Sequence, residues 1–340
     1  MKPRRIGQVD WRLFLWQAAG TTDLDREPGR ALEAGRITVG VNPRTKGEPA
    51  VTISETIPLS RNEDWTVERA VAAVSDKLNG VQRLGVAFSG GVDSSLLLAL
   101  AARTLGEQQV IALLGVSPSL AAEEREAAHN VARQLGVTII EVVTHEDDHP
   151  EYRANGPDRC FYCKDELFGR IDDEVIERYG LDAIAYGENA DDARRPDRPG
   201  ARAAADRHVL RPLAEVGMTK LAVRTVARAL GLPVADKPAA PCLASRIPHH
   251  HPVTPAKLSQ IERAESALRQ LGFSDLRVRH HDEIARVELP SADLVRAVVD
   301  PLRTQMLAAV RGAGFQFVTV DLAGIQSGAF TLQLLSPDHD

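Results

Sequence analysis

From Asp64 onward, short apolar runs alternate with amphipathic stretches, a rhythm that predicts a wound α/β sheet. Val67, Ala70, Val71, Val74 and Leu78 recur at helical spacing, with Gly80 placed to end that helix. Leu84–Phe88 reads as a strand, followed by a helix to about 104 and a strand over 110–114. A helix over 121–135, a strand over 137–143, a helix over 164–179 and a strand over 183–186 continue the series. Short buried strands alternating with helices of several turns imply a doubly wound parallel sheet with both faces covered. Past Pro252 the rhythm changes. A helix over 255–271 precedes strands Asp275–His280 and Glu283–Glu288, joined at His281-Asp282. A helical region over 291–313 and a strand Phe315–Leu322 complete what reads as a smaller α+β C-terminal domain.

The first 62 residues have no such rhythm. They are rich in Gly, Pro, Thr and Arg, and Gly40, Pro43, Gly47 and Pro49 fall in a stretch without helical period. One apolar island, Trp11, Leu13, Phe14, Leu15 and Trp16, reads as an arm packed on its own domain or as a short docking helix. The expected organisation is an irregular extension over 1–62, a nucleotide-type domain over 63–248 and the α+β domain over 249–335. Residues 336–340 read as a frayed tail. No internal repeat or coiled-coil heptad is visible.

Composition narrows the class. With 340 residues, 44% hydrophobic and 26% charged, the chain can bury a substantial core. A formal charge of −6 counts against a general nucleic-acid binder. No apolar run approaches the roughly 18 residues of a membrane span, and Asp10 and Arg12 interrupt any signal-peptide core. The chain therefore reads as cytoplasmic. Three cysteines make an odd count, which argues against a disulfide framework in a reducing compartment.

The most specific chemistry lies in Ser89-Gly90-Gly91-Val92-Asp93-Ser94-Ser95, between a strand and a helix. Two glycines let a ligand approach the backbone. The helix N-terminus beyond them offers free N–H groups and partial positive charge to a phosphate. Ser94 and Ser95 add hydroxyls, and Asp93 can reach Mg2+ carried by a nucleotide. A Walker loop would need a lysine that is absent here. The competing reading is a glycine-rich turn with no ligand.

All three cysteines fall in two segments, Cys160-Phe161-Tyr162-Cys163-Lys164 and Pro241-Cys242-Leu243-Ala244-Ser245-Arg246, both read as loops after strands of the same sheet. Three thiolates can hold three irons of a [4Fe–4S] cluster and leave the fourth open. Zinc would want a fourth ligand, which His249, His250 or His251 could supply. Three packed thiols are the remaining alternative.

The loop at 89–95 resembles the pyrophosphate loop of the N-type ATP pyrophosphatases. Taken with Gly187-Glu188-Asn189-Ala190-Asp191-Asp192, the Cys242 segment and Arg277-Val278-Arg279-His280-His281, it resembles the LarE family from about residue 66 to 335. The resemblance implies an adenine nucleotide alpha hydrolase-like fold and an ATP-dependent sulfur transferase. Such an enzyme adenylates a carboxylate of pyridinium-3,5-biscarboxylic acid mononucleotide and installs sulfur as a thiocarboxylate. It further implies that ATP and Mg2+ are held by Ser89, Gly90, Gly91, Val92, Asp93, Ser94, Ser95, Gly187, Asn189 and Asp192. Cys242 is implied as the sulfur centre, with Lys164 stabilising charge beside it. One subgroup consumes that cysteine; another uses three cysteines as cluster ligands, and Cys160 and Cys163 make the cluster branch the better match. His249-His250-His251 departs from the family, whose members commonly carry Tyr-Gly there.

A substrate bearing a phosphate and carboxylates requires cations. Arg194, Arg195, Arg198, Arg202, Arg207 and Arg211 outnumber Asp197 and Asp206 within one stretch. Arg246, Arg277 and Arg279 are further candidates, since Arg suits bidentate oxyanion binding, and Glu265 matches an acidic position of the family's active region. The resemblance also implies a homo-oligomer assembled through the second domain. The rival readings are a tRNA-thiolating relative with a [4Fe–4S] cluster, a non-catalytic ATP-binding sensor, and an amide-forming synthetase, which would need an ammonia source.

Overall fold

The computed structural model describes residues 65–195 and 199–326, all within one compact unit spanning Ser60–Asp340. The Trp11–Trp16 island, Arg198 and the 336–340 tail lie outside the described residues. Helix α1 (Val67–Lys77) starts where the Thr66 hydroxyl accepts the Arg69 N–H at 3.2 Å. Then follow β1 (Leu84–Ala87), α2 (Val92–Leu105), β2 (Val110–Val116), α3 (Ala122–Gln134) and β3 (Thr138–Val143). The crossover back to β4 (Ala183–Tyr186) carries α4 (Pro150–Arg153), α5 (Arg159–Arg170) and α6 (Ile176–Tyr179). Beyond β4 come α7 (Ala190–Ala193), α8 (Pro199–Asp206), α9 (Pro212–Glu215) and α10 (Lys220–Ala229).

The four strands are parallel, in the order β3-β2-β1-β4. Alternation along β2 explains the two layers. Val110, Ala112 and Leu114 face a core built with α1, α2, α3 and α10, while Ile111 and Leu113 face Phe168, Ile171 and Ala203. Both faces are thereby covered, as expected. Strand order reverses between β1 and β4, where ligands of such sheets bind.

Two sequence expectations need correction. The segment Cys160–Lys164 is not a loop before a helix: α5 begins at Arg159, so both cysteines lie on the helix, one turn apart. The preceding Gly156-Pro157 pair halts the chain earlier than the apolar period suggests. That helix is also not continuous to 179, because a π-helical turn over Ile171–Val175 separates α5 from α6. The turn keeps both Ile171 and Val175 buried against the sheet.

The C-terminal part contains α11 (Pro255–Gln270), β5 (Arg277–His281), β6 (Ile284–Glu288), α12 (Ser291–Ala297), α13 (Leu302–Gly312) and β7 (Phe317–Val320). The expected single helical region over 291–313 is two helices, divided before Pro301, which disfavours helix at its preceding residue. β5 and β6 pair antiparallel, turning at Asp282 with φ 55°, and β7 joins β6 in parallel. This sheet packs with α11 and α13 around Phe273, Val278, Val287, Met306 and Phe315. A further cluster, Tyr152, Leu243, Ile247, Val253, Leu258 and Ile261, ties the Cys242 segment to α4 and α11. No helix among the described residues is long and apolar enough to cross a membrane.

Candidate active site

The glycine loop stands at the carboxyl end of β1 and opens α2, with Gly91 as its N-cap. Gly90 has φ +70°, and a Cβ there would meet Ala128 at 3.0 Å. Ser89 and Ser94 approach each other at 3.2 Å, and the Ser94 hydroxyl donates to the Gly91 carbonyl at 3.1 Å. Ser89, Gly91, Asp93 and Ser94 line a cavity of about 330 Å3, together with Gly187. Val92 turns into the core, and the Ser95 hydroxyl is buried with no partner among the described residues.

Gly187 carries the close approach between β4 and this loop. A Cβ at Gly187 would lie 2.5 Å from the Ser94 amide nitrogen and 2.7 Å from the Asp93 carbonyl carbon. Backbone cannot yield as a side-chain tip can. Gly187→Ala is therefore expected to displace the loop and weaken ATP binding at least tenfold, read by calorimetry. Wild-type affinity would show that the loop is not the ATP site.

Behind the loop lies a charged network that the sequence revealed only in part. Asn189 N-caps α7, its Oδ1 accepting the Asp191 and Asp192 amides at 3.0 Å. Its Nδ2 donates to Asp93 Oδ1 at 3.0 Å and to Asp192 Oδ2 at 2.8 Å. Lys220 donates from Nζ to Asp93 Oδ2 at 2.5 Å, and its amide donates to Asp191 Oδ2 at 2.7 Å. Sequence reading missed Lys220. Its signal is a cation in the first turn of α10, directly after the Thr219 N-cap, where the helix dipole disfavours positive charge.

Two of the three cysteines, Cys163 and Cys242, face the same cavity. Cys163, Lys164 and Cys242 line it, and the Lys164 ammonium sits 4.3 Å from the Tyr186 ring centroid. Cys160, one turn from Cys163 on α5, is exposed. Burial, followed by the charges of Glu146 and Cys242, pushes the Cys163 thiol well above its usual range. Arg159 is buried beside them. Burial opposes its charge, but Cys242 and Cys160 outweigh it and hold the guanidinium above its ordinary value.

Arg159 and Asn155 also anchor the segment that bears Cys242. Arg159 donates from Nη1 to Asn155 Oδ1 at 2.5 Å and to the Ala244 carbonyl at 2.9 Å. Asn155, with φ 56°, donates from Nδ2 to the carbonyls of Pro248 and His251 at 2.7 and 3.0 Å. Neither residue was singled out from sequence, because their partners lie about ninety positions away. The histidine triplet is engaged in this anchor: His249 Nδ1 lies 3.2 Å from the Asn155 carbonyl oxygen.

Three thiols beside two cations suit an iron–sulfur cluster as a donor set. Among the described residues, however, no group of three or more His, Cys, Asp or Glu side chains is arranged to hold a metal ion. That applies to the zinc alternative as well.

Cys242 lines a second cavity too, of about 160 Å3, with Arg246, Glu265 and Arg269. Here the expected cations differ in availability. Buried Arg246 pairs with Glu265 at 2.9 Å, and Arg269 reaches the same carboxylate at 3.2 Å. Arg279 pairs with Glu288 at 2.8 Å and donates to the Ser245 carbonyl at 2.9 Å. Arg277 is 6% exposed and donates from Nη1 to the Gln326 carbonyl at 2.9 Å. Burial, then repulsion from Arg279 and Arg246, holds its guanidinium below its ordinary value.

The upstream arginine cluster is largely engaged within the protein. Arg207 pairs with Asp165 and Asp172, Arg211 with Glu188 and Arg194 with Asp191. Arg202 lies over the Phe161 ring. Arg202 and Arg207 thus tie the α8 segment to α5 and the turn after it, while Arg194 and Arg211 pair with carboxylates near α7.

Comparison with known proteins agrees with this geometry. Residues 67–172 match the asparagine synthase family profile. The chain is 35% identical over 262 residues to the pyridinium-3,5-bisthiocarboxylic acid mononucleotide synthase of Lactiplantibacillus plantarum, covering 76% of this chain and 91% of that protein. It is 41% identical over 248 residues to an uncharacterised Synechocystis protein, covering 73% and 91% respectively. An uncharacterised Methanocaldococcus jannaschii protein is 25% identical over 243 residues, covering 71% and 90%. With its nucleotide loop, its sheet order and these relatives, the chain belongs to the LarE-like family of ATP pyrophosphatases.

Proposed function

We propose that the protein is an ATP-dependent sulfur transferase acting on a pyridinium dicarboxylate mononucleotide. The observation that carries this reading is the position of Cys242, which lines both the cavity of the nucleotide loop and the smaller cavity of Arg246 and Glu265. An activated carboxylate lying between them would face that sulfur. The relative from Lactiplantibacillus plantarum, whose name specifies a bisthiocarboxylic acid mononucleotide, supports the substrate class.

In this mechanism MgATP binds with its phosphates on Ser89, Gly91 and Ser94, along the α2 dipole, and with its Mg2+ at Asp93. A substrate carboxylate oxygen attacks the α-phosphorus, an O–P bond forms, and the bond to pyrophosphate breaks. Lys220 and the loop amides neutralise the departing charge. Adenylation turns a poor leaving oxygen into AMP. Sulfide at the Cys242 end of the cavity then adds to the acyl carbon and AMP departs, leaving a thiocarboxylate; were the Cys242 thiolate itself to add, the thioester would release the thiocarboxylate only by breaking the Cys242 Cβ–Sγ bond to dehydroalanine. Lys164 lies on the same wall and stabilises the developing oxyanion. Arg277 supplies a buried cation for the substrate phosphate. Cys160, Cys163 and Cys242 are the residues that would hold a [4Fe–4S] cluster, which when bound supplies an iron site for exogenous sulfide.

Anaerobically purified protein should contain about four irons per chain. With ATP, substrate and sulfide it should form AMP, pyrophosphate and a thiocarboxylate, each resolved by mass spectrometry. Stoichiometric zinc without iron would remove the cluster reading. AMP formation on tRNA but not on the pyridinium nucleotide would remove the substrate reading.

A further inference from the structure

Glu146 has no task in that mechanism. It begins a turn, Glu146–Asp148, after β3 in an acidic run whose composition suggests solvent exposure. Instead it is 2% exposed. Its Oε1 accepts the hydroxyls of Ser117 and Ser119 at 2.5 and 2.8 Å, so the carboxylate is held in one orientation. Oε2 is buried with no hydrogen-bond partner among the described residues. Native proteins seldom leave such an oxygen unmatched, because its lost hydration is uncompensated.

The position of the carboxylate suggests what matches it. Glu146 lines the same cavity as Ser89, Asp93 and Ser94. The phosphate loop follows β1 and Glu146 follows β3, with β2 between them. Two strand spacings separate these ends by roughly 10 Å, about the reach from the phosphates of a nucleotide to its sugar and base. Between them the cavity wall is Leu114, Gly115 and Leu120, an apolar surface suited to a nucleoside face. Ser117 and Ser119 are already turned toward Oε1, which leaves Oε2 as the acceptor in place.

We propose that Glu146, oriented by Ser117 and Ser119, accepts a hydrogen bond from a hydroxyl or amino group of the nucleoside half of the bound nucleotide. This makes it a specificity determinant for the nucleoside triphosphate. The inference rests on the assignment of the cavity as the ATP site.

The test uses full-length protein, Mg2+ and a non-hydrolysable α,β-methylene ATP, with binding read by calorimetry. Parallel probes are its 2′-deoxy, 3′-deoxy and 6-deamino forms. Glu146→Ala is expected to weaken the parent about tenfold, the scale of one hydrogen bond to a charged acceptor. One of the three probes should lose the same factor on wild-type protein and nothing further on the variant. A thermal melt checks that the variant is folded, since the change also removes the acceptor of the Ser117 and Ser119 hydroxyls; a purely structural role would weaken all four ligands by the same factor and leave wild-type protein unable to tell them apart. Equal binding of all four ligands by wild-type protein would overturn the inference while leaving the ATP site intact. Mg2+ binding without nucleotide that disappears in the variant would overturn it as well, by making the carboxylate a cation ligand. Failure of wild-type protein to bind the parent would overturn the ATP assignment, and this inference with it.

Discussion

Lys220→Met is expected to slow substrate-dependent pyrophosphate release about 10²- to 10³-fold, the cost of removing one preorganised charge at a reacting centre. Its ammonium lies 2.5 Å from the Asp93 carboxylate of the nucleotide loop. In that pairing it occupies the place on Asp93 that a nucleotide-bound Mg2+ would claim. Under the proposed function, Mg2+ on Asp93 would release the ammonium toward the phosphates, where it would offset charge as pyrophosphate leaves. Its location in the first turn of a helix is electrostatically unfavourable by about 0.3–1 kcal/mol, which argues that the position serves something other than helix stability. Lys220→Arg should recover part of the rate, since it restores charge but not the compact ammonium geometry. Stopped-flow pyrophosphate release with a thermal-melt control is the measurement. A folded Lys220→Met protein with wild-type release would remove Lys220 from the mechanism.

Cys242→Ser should abolish thiocarboxylate formation, by at least 10²-fold, while AMP and pyrophosphate still appear. Under the proposed function the two half-reactions separate, because the loop on β1 would carry out adenylation while Cys242 would place the sulfur nucleophile. The substitution should leave the segment in place, since backbone groups hold it. The Leu243 amide donates to the Ser119 carbonyl at 2.9 Å, and Arg246 donates to the Pro241 carbonyl at 2.5 Å. Intact mass spectrometry of wild-type protein after turnover extends the test. An unchanged chain mass with repeated turnover on added sulfide is the expected result. A chain lighter by about 34 Da, as thiol-to-dehydroalanine loss requires, would show that Cys242 is consumed. Loss of adenylation in Cys242→Ser would mean that the thiol acts before sulfur transfer.

What could be read along the chain was whatever local physics writes locally. Alternation of Val110, Ala112 and Leu114 with Ile111 and Leu113 marks a strand covered on both faces, and the structure has that strand. Ser89–Ser95 announces a phosphate loop because glycine freedom, hydroxyls and a helix start must be contiguous to act together. The Asn189–Asp192 turn is legible for the same reason, since a cap bonds within three residues. Helix ends were less legible: the start of α5 at Arg159 and the break before Pro301 depend on packing as much as on period.

Tertiary structure alone decided the pairings between distant segments. Lys220 meets Asp93 across 127 positions, and Asn155 holds the Pro248 carbonyl across 93. Charge counts could not separate Arg277 from Arg246 and Arg279, because buried glutamates engage the latter two only once α11 and β6 are packed. Nothing in the sequence singles out Glu146 among its acidic neighbours; its burial against Ser117 and Ser119 exists only in the folded chain. A one-dimensional pattern encodes helix faces, strand faces and turns because these repeat within a few residues. Which charge is satisfied and which is left for a ligand is fixed by desolvation and by neighbours that only the folded chain supplies.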